Sequence, residues 1–133
     1  VTKPFWKLND QEYFEAPGLS ALVFHDTYPE GKQGGIEIIQ HGERVSACGD
    51  VRLEPAPGQW RPLPEVGVRE VDPATGTARV PLRFAEADIA YTVEVRPEGE
   101  ALRVAVNLEA PLPPDWEGKV GLNLELFPGA YFG

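Results

Sequence analysis

The chain predicts an all-β fold, an antiparallel β-sandwich of about seven to nine strands. Three observations carry that expectation. Apolar and polar residues alternate with a period of two in the central hairpin and, most cleanly, in several runs of the second half. The 14 glycines and 14 prolines fall mainly between the apolar runs, where turns are needed. Hardly any stretch repeats with helical spacing, and turn signals recur at the intervals expected between short strands.

Taken in order, residues 1–18 hold Phe5, Trp6, Leu8, Tyr13 and Phe14 among polar residues, ending at Pro17-Gly18. They read as a lead-in edge strand followed by a turn. Residues 19–25 (LSALVFH) form a β-rich run, apolar on both faces until Ser20 and His25, as expected of an inner strand. A polar loop over 26–35 (DTYPEGKQGG) leads into residues 34–53 (GGIEIIQHGERVSACGDVRL), around which the chain is organised. There Ile36 and Ile38 alternate with Glu37, His41-Gly42-Glu43 makes a polar hairpin tip, and Val45 and Ala47 resume the strand. Gly49-Asp50 then opens a further short strand, Val51 to Leu53.

Residues 55–65 (PAPGQWRPLPE) carry four prolines and read as a surface loop. A short strand over 66–71 and a turn at Asp72-Pro73-Ala74-Thr75-Gly76 follow. The cleanest alternation comes next. Ala78, Val80, Leu82 and Phe84 share one face, opposite Arg79 and Arg83. Ile89, Tyr91, Val93 and Val95 repeat the pattern, opposite Thr92, Glu94 and Arg96. Pro97-Glu98-Gly99-Glu100 turns the chain into Leu102, Val104, Val106 and Leu108. After a loop over 110–118, Val120, Leu122, Leu124 and Leu126 give a last strand, and the apolar end over 126–132 would serve as interdomain strand or linker. Residues 127–133 (FPGAYFG) read as a cut through a longer chain, and the start at Val1 reads as a processed or excised product.

The length suits one domain, residues 1–133, able to bury roughly two-thirds of its unfolded surface. A net charge of −9 argues against nucleic acid or an anionic membrane as partner, and no apolar run approaches a membrane span. Cys48 is the only cysteine, so an internal disulfide and a thiolate-rich metal site are excluded; it reads as a small buried residue.

Catalytic patterns are scarce. Ser20 and Ser46 lie in strand-like runs without a nucleophile elbow, and no glycine-rich phosphate loop occurs. Glu37, Glu94 and Glu125 occupy polar positions of alternating strands, where solvent exposure is expected. Two of them at glycosidase spacing would need a reason for one raised pKa, which spacing alone does not supply. His25 and His41 are the only imidazoles and the weak metal candidates; a site would need both plus a carboxylate, as in a small oxidative metalloenzyme. No metal or other cofactor is expected. Aromatic residues are the stronger signal. Tyr28, Trp60 and Trp116 stand in polar or proline-rich loops, and exposed rings of this kind stack on the C–H faces of sugars. The plainer account is that they cap an open end of the sandwich or pack on a neighbouring domain.

The runs LNDQEYFEAPGLSALVFHDTYPEGKQGGIEIIQHGERVSACGDVRLEPAPGQW and PLPPDWEGKVGLNLELFPGAYFG resemble the N-terminal region of bacterial cellulase-type (family nine) glycoside hydrolases. The resemblance covers nearly the whole chain by overall texture. It implies an immunoglobulin-like sandwich packed against a downstream (α/α)-barrel catalytic domain, with the catalytic acids beyond Gly133 and none on this chain. It also implies secretion, to the periplasm or cell surface. Two functions are thus expected: a non-catalytic module supporting a polysaccharide-degrading domain, or a free-standing carbohydrate-binding module using Tyr28, Trp60 and Trp116. A sandwich separated from its partner domain would expose an apolar face through which copies could associate.

Overall fold

The computed structural model describes residues 5–25, 35–54 and 64–126, apart from the side chain of Cys48. Its strands are β1 (Lys7–Leu8), β2 (Phe14–Ala16), β3 (Leu19–Val23), β4 (Ile36–Gln40), β5 (Glu43–Leu53), β6 (Glu65–Val66), β7 (Glu70–Asp72), β8 (Thr77–Phe84), β9 (Ile89–Glu98), β10 (Ala101–Leu108) and β11 (Val120–Leu126). Two short 3₁₀ turns, Ala85–Ala87 and Pro114–Trp116, are the helical elements among the described residues.

One sheet runs β1-β2-β3-β4-β5-β11 and the other β10-β9-β8-β6, with β7 also paired to β8. Every pairing between these strands is antiparallel. Apolar residues from both sheets share one core. Phe14, Ala21, Val23, Ile36, Val51 and Leu53 come from the first sheet, and Val80, Leu82, Phe84, Tyr91, Val93 and Val95 from the second. The expected antiparallel sandwich is therefore present, with eleven strands among the described residues where about seven to nine were expected, because several apolar runs are split into short separate strands.

The second sheet follows the alternation closely. β8 reads buried at Ala78, Val80, Leu82 and Phe84, and exposed at Arg79, Pro81 and Arg83. Val80 sits opposite Val93, and Val106 opposite Val93 from the other side, so the β-branched side chains interlock across three strands.

Three expectations are corrected in detail. The lead-in region is two strands, since Asn9 folds the chain back by accepting the Gln11 and Tyr13 amides on its side chain. Residues 43–53 form one continuous strand and not two. The register between β4 and β5 passes from Ile36↔Gly49 to Ile38↔Ser46, so β5 holds an extra residue there. A bulge thus bends the strand without ending it. The segment over 66–71 is instead the separate pair β6 and β7 on β8, with the Gly67 amide between them donating to the Pro81 carbonyl at 2.8 Å.

The largest correction concerns β11. Val120, Leu122 and Leu126 stand opposite Leu53, Val51 and Ser46, on the side of the sheet that faces the core. Yet Leu122, Leu124 and Leu126 are 51%, 47% and 56% exposed. The strand is the last of its sheet, and the apolar surface runs on past the core. Glu37 departs from expectation in the opposite sense. It is 1% exposed, its carboxylate lying 3.5 Å from the Arg44 guanidinium, because β3 and β5 flank it on either side.

Candidate functional site

The hairpin tips at one end of the six-stranded sheet stand beside a surface groove. Gln40 pairs with Glu43, and the two turn residues His41 and Gly42 have φ of +50° and +80°. That is the turn whose twist matches a two-residue hairpin. Beside it, Pro17-Gly18 joins β2 to β3, with Gly18 at φ +71°. The two tips are locked together. The His41 amide donates to the Gly18 carbonyl at 2.8 Å, and the His41 ring lies over Gly18 so closely that an added Cβ would meet Cε1 at 2.6 Å. A side chain at position 18 would strain the left-handed backbone and displace this imidazole.

A surface groove of about 530 Å³ opens next to this contact, lined by Phe5, Lys7, Glu15, Ser20, Ile39 and His41, among others. Strand register explains the lining. Leu8, Phe14, Ala21 and Ile38 form a row across β1 to β4 that faces the core. The alternating row, Lys7, Glu15, Ser20 and Ile39, faces away from it. Phe5 walls the groove, 37% exposed and edge-on to Trp6, whose indole N–H is anchored on the Glu100 carbonyl at 3.1 Å.

The sequence candidates are distributed differently. Tyr28 and Trp60 lie outside the described residues. Trp116 belongs to the Pro114–Trp116 turn and is half-buried, packed against the core. His41 is exposed at its tip. His25 has both nitrogens engaged within the chain. Nδ1 accepts the Val23 amide at 3.1 Å, which leaves the proton on Nε2, 3.4 Å from the Gln11 carbonyl. Its ring also meets Tyr13 edge-on. Among the described residues, no three His, Cys, Asp or Glu side chains group as metal ligands would. Glu94 is in an ion pair with Arg79 at 3.0 Å, on the outer face of the second sheet.

Lys7 and Glu15 are not among the sequence candidates, although each alternates with a core residue, Leu8 or Phe14. What the sequence lacks is the pairing that sets them side by side. Nor does it show that Asp50 and Tyr91, read there only as strand residues, meet inside the sandwich. The Tyr91 hydroxyl donates to Asp50 Oδ1 at 2.9 Å, and the Val51 amide donates to the same oxygen at 2.7 Å. Burial pushes the Asp50 carboxyl up to about 6; both hydrogen bonds and the nearby Arg52 offset only part of that effect. The Tyr91 hydroxyl is raised too, first by burial and then by the Asp50 charge.

No family model, no curated protein and no solved structure matches the chain.

Proposed function

We propose that this chain is a non-catalytic, immunoglobulin-like module of a secreted polysaccharide-degrading glycoside hydrolase, and that it supports the catalytic domain it packs against. The observation that carries this reading is the leucine row of β11. Leu122, Leu124 and Leu126 continue the core surface at a sheet edge, each about half exposed. Covering three half-exposed leucines would contribute about 2–4 kcal/mol, enough to hold a neighbouring domain that is already tethered. The family resemblance supplies the identity of that neighbour.

The test is the double variant Leu122→Glu/Leu124→Glu in the full-length polypeptide. The catalytic domain should melt several degrees lower and lose activity on soluble β-glucan at elevated temperature. An unchanged melt, with unchanged activity, would overturn the supporting role.

The alternative is a free-standing carbohydrate-binding module using Tyr28, Trp60 and Trp116. Of these rings only Trp116 lies among the described residues, and its packing on the core favours the supporting role. A fluorescence titration with soluble β-glucan separates the two readings: saturable binding lost in Trp60→Ala or Trp116→Ala would favour the alternative.

A further inference from the structure

We infer that the groove beside the Gly18–His41 contact is a binding site for a short neutral oligosaccharide. This goes beyond the supporting role, because the groove lies on β1 to β4 and owes nothing to the β11 edge.

Four features select the ligand. The first is size. About 530 Å³ falls within the usual range of small-ligand sites, about 300–1,000 Å³. Lys7, Glu15, Ser20 and Ile39 stand on four adjacent strands, so the row extends about 14 Å. That matches a sugar chain of two or three units better than a single small metabolite.

The second feature is charge. Lys7 and Glu15 are directly opposite on neighbouring strands, yet they close no ion pair within the described structure. Their charges cancel over the groove, so neither a cationic nor an anionic ligand is favoured. Each still offers hydrogen bonds, the ammonium as donor and the carboxylate as acceptor.

The third feature is the mixture of surfaces. Phe5, Pro17 and Ile39 present apolar area of the kind that receives the C–H face of a sugar ring. The Ser20 hydroxyl, the His41 imidazole and the Lys7–Glu15 couple supply polar partners beside it. A hydroxyl-rich, uncharged molecule with apolar faces satisfies both.

The fourth is preorganisation. The site stands on paired strands and on two turns locked through Gly18 and His41, so little ordering cost falls on binding.

The experiment is a titration of the isotope-labelled chain with neutral trisaccharides of glucose, xylose and mannose, followed by amide shifts and calorimetry. An anionic galacturonate trisaccharide, a cationic glucosamine trisaccharide and free glycine serve as comparisons. Saturable shifts should appear for at least one neutral trisaccharide, confined to residues 5–7, 15–20 and 39–42. Affinity should fall about tenfold, about 1.4 kcal/mol, in Glu15→Gln and in Phe5→Ala. Glu15 is exposed, so its variant keeps the test valid if loss of Phe5 disturbs Trp6. Absence of binding by every neutral trisaccharide, equal or tighter binding of a charged probe, or affinity unchanged in both variants would overturn the inference. Shifts centred on Trp116 would also overturn it, while favouring the carbohydrate-binding alternative. Leu122→Glu/Leu124→Glu should leave the titration unchanged, so failure here and failure of the supporting role are read separately.

Discussion

The hydroxyl of Tyr91 on β9 reaches across the sandwich to the carboxylate of Asp50 on β5, at 2.9 Å. Tyr91 is fully buried and stacks on Phe84 with ring centroids 5.7 Å apart. The phenol is therefore held in place by its ring as well as by its hydroxyl. Removing the hydroxyl in Tyr91→Phe leaves Asp50 with the Val51 amide alone on that oxygen. The expected cost is about 1–3 kcal/mol by urea denaturation, larger at neutral pH, where the acceptor is charged, than in acid.

The same pair sets a pH dependence. The folded chain keeps the Asp50 proton up to about pH 6, against an ordinary carboxyl at 3.8. The group's contribution to stability is therefore complete below the ordinary value, declines as pH rises from there to about 6, and is lost above. The shift corresponds to about 3 kcal/mol. Asp50→Asn removes this titration while keeping an acceptor for Tyr91. Relative to the parent chain, the variant should gain about 3 kcal/mol between acid and neutral pH. A stability difference independent of pH would contradict the burial of this charge.

Gly18→Ala should cost about 1–2 kcal/mol through the left-handed backbone alone, and more through collision with the His41 ring. His41→Asn suits the positive φ of its own position and removes the ring. The double variant should then lose less than the sum of the single ones. Additive losses in a thermal-melt cycle would show that the two tips do not press on one another.

Arg69 ties the loop between β6 and β7 to the end of β3. Its guanidinium donates to the Val23 and Phe24 carbonyls, each at 3.4 Å, and lies 3.4 Å from Glu12. Phe24 is buried with φ of +55°, an unusual conformation for a bulky residue, so the carbonyl contacts stabilise a strained turn. Arg69→Ala should cost about 1–3 kcal/mol, whereas Glu12→Gln, at the exposed end, should cost under about 1 kcal/mol. Equal losses would place the value in the ion pair.

How legible all this was in the sequence varied with the kind of information needed. β8 and β9 could be read residue by residue, because Val80 and Val93 are covered on one face only and alternation reports that directly. Leu122 and Leu124 follow the same pattern but are half exposed, since a period of two gives the side of the sheet and not the distance from its edge. Glu37 looked like a solvent position for the same reason: its burial depends on which strands flank it. The groove was illegible because Lys7 and Glu15 become neighbours only through pairing. Asp50 was hidden by position, since nothing local shows that a tyrosine 41 residues away will reach it.

The two edges of the six-stranded sheet are unequal, and this bears on stoichiometry. β1 is two residues long and carries Lys7, while β11 is seven residues long with a leucine row and pairs only with β5 among the described strands. Short, charged edges resist further pairing, and long apolar ones invite it. Two copies joined β11 to β11, antiparallel about Leu122, would set Val120 beside Leu124 and Lys119 beside Glu125 of the other copy. Such an assembly is bounded by β1 at both ends. Growth through this edge therefore halts at two, and the isolated chain should reach a dimer in sedimentation at high concentration, reverting to monomer in Leu122→Lys.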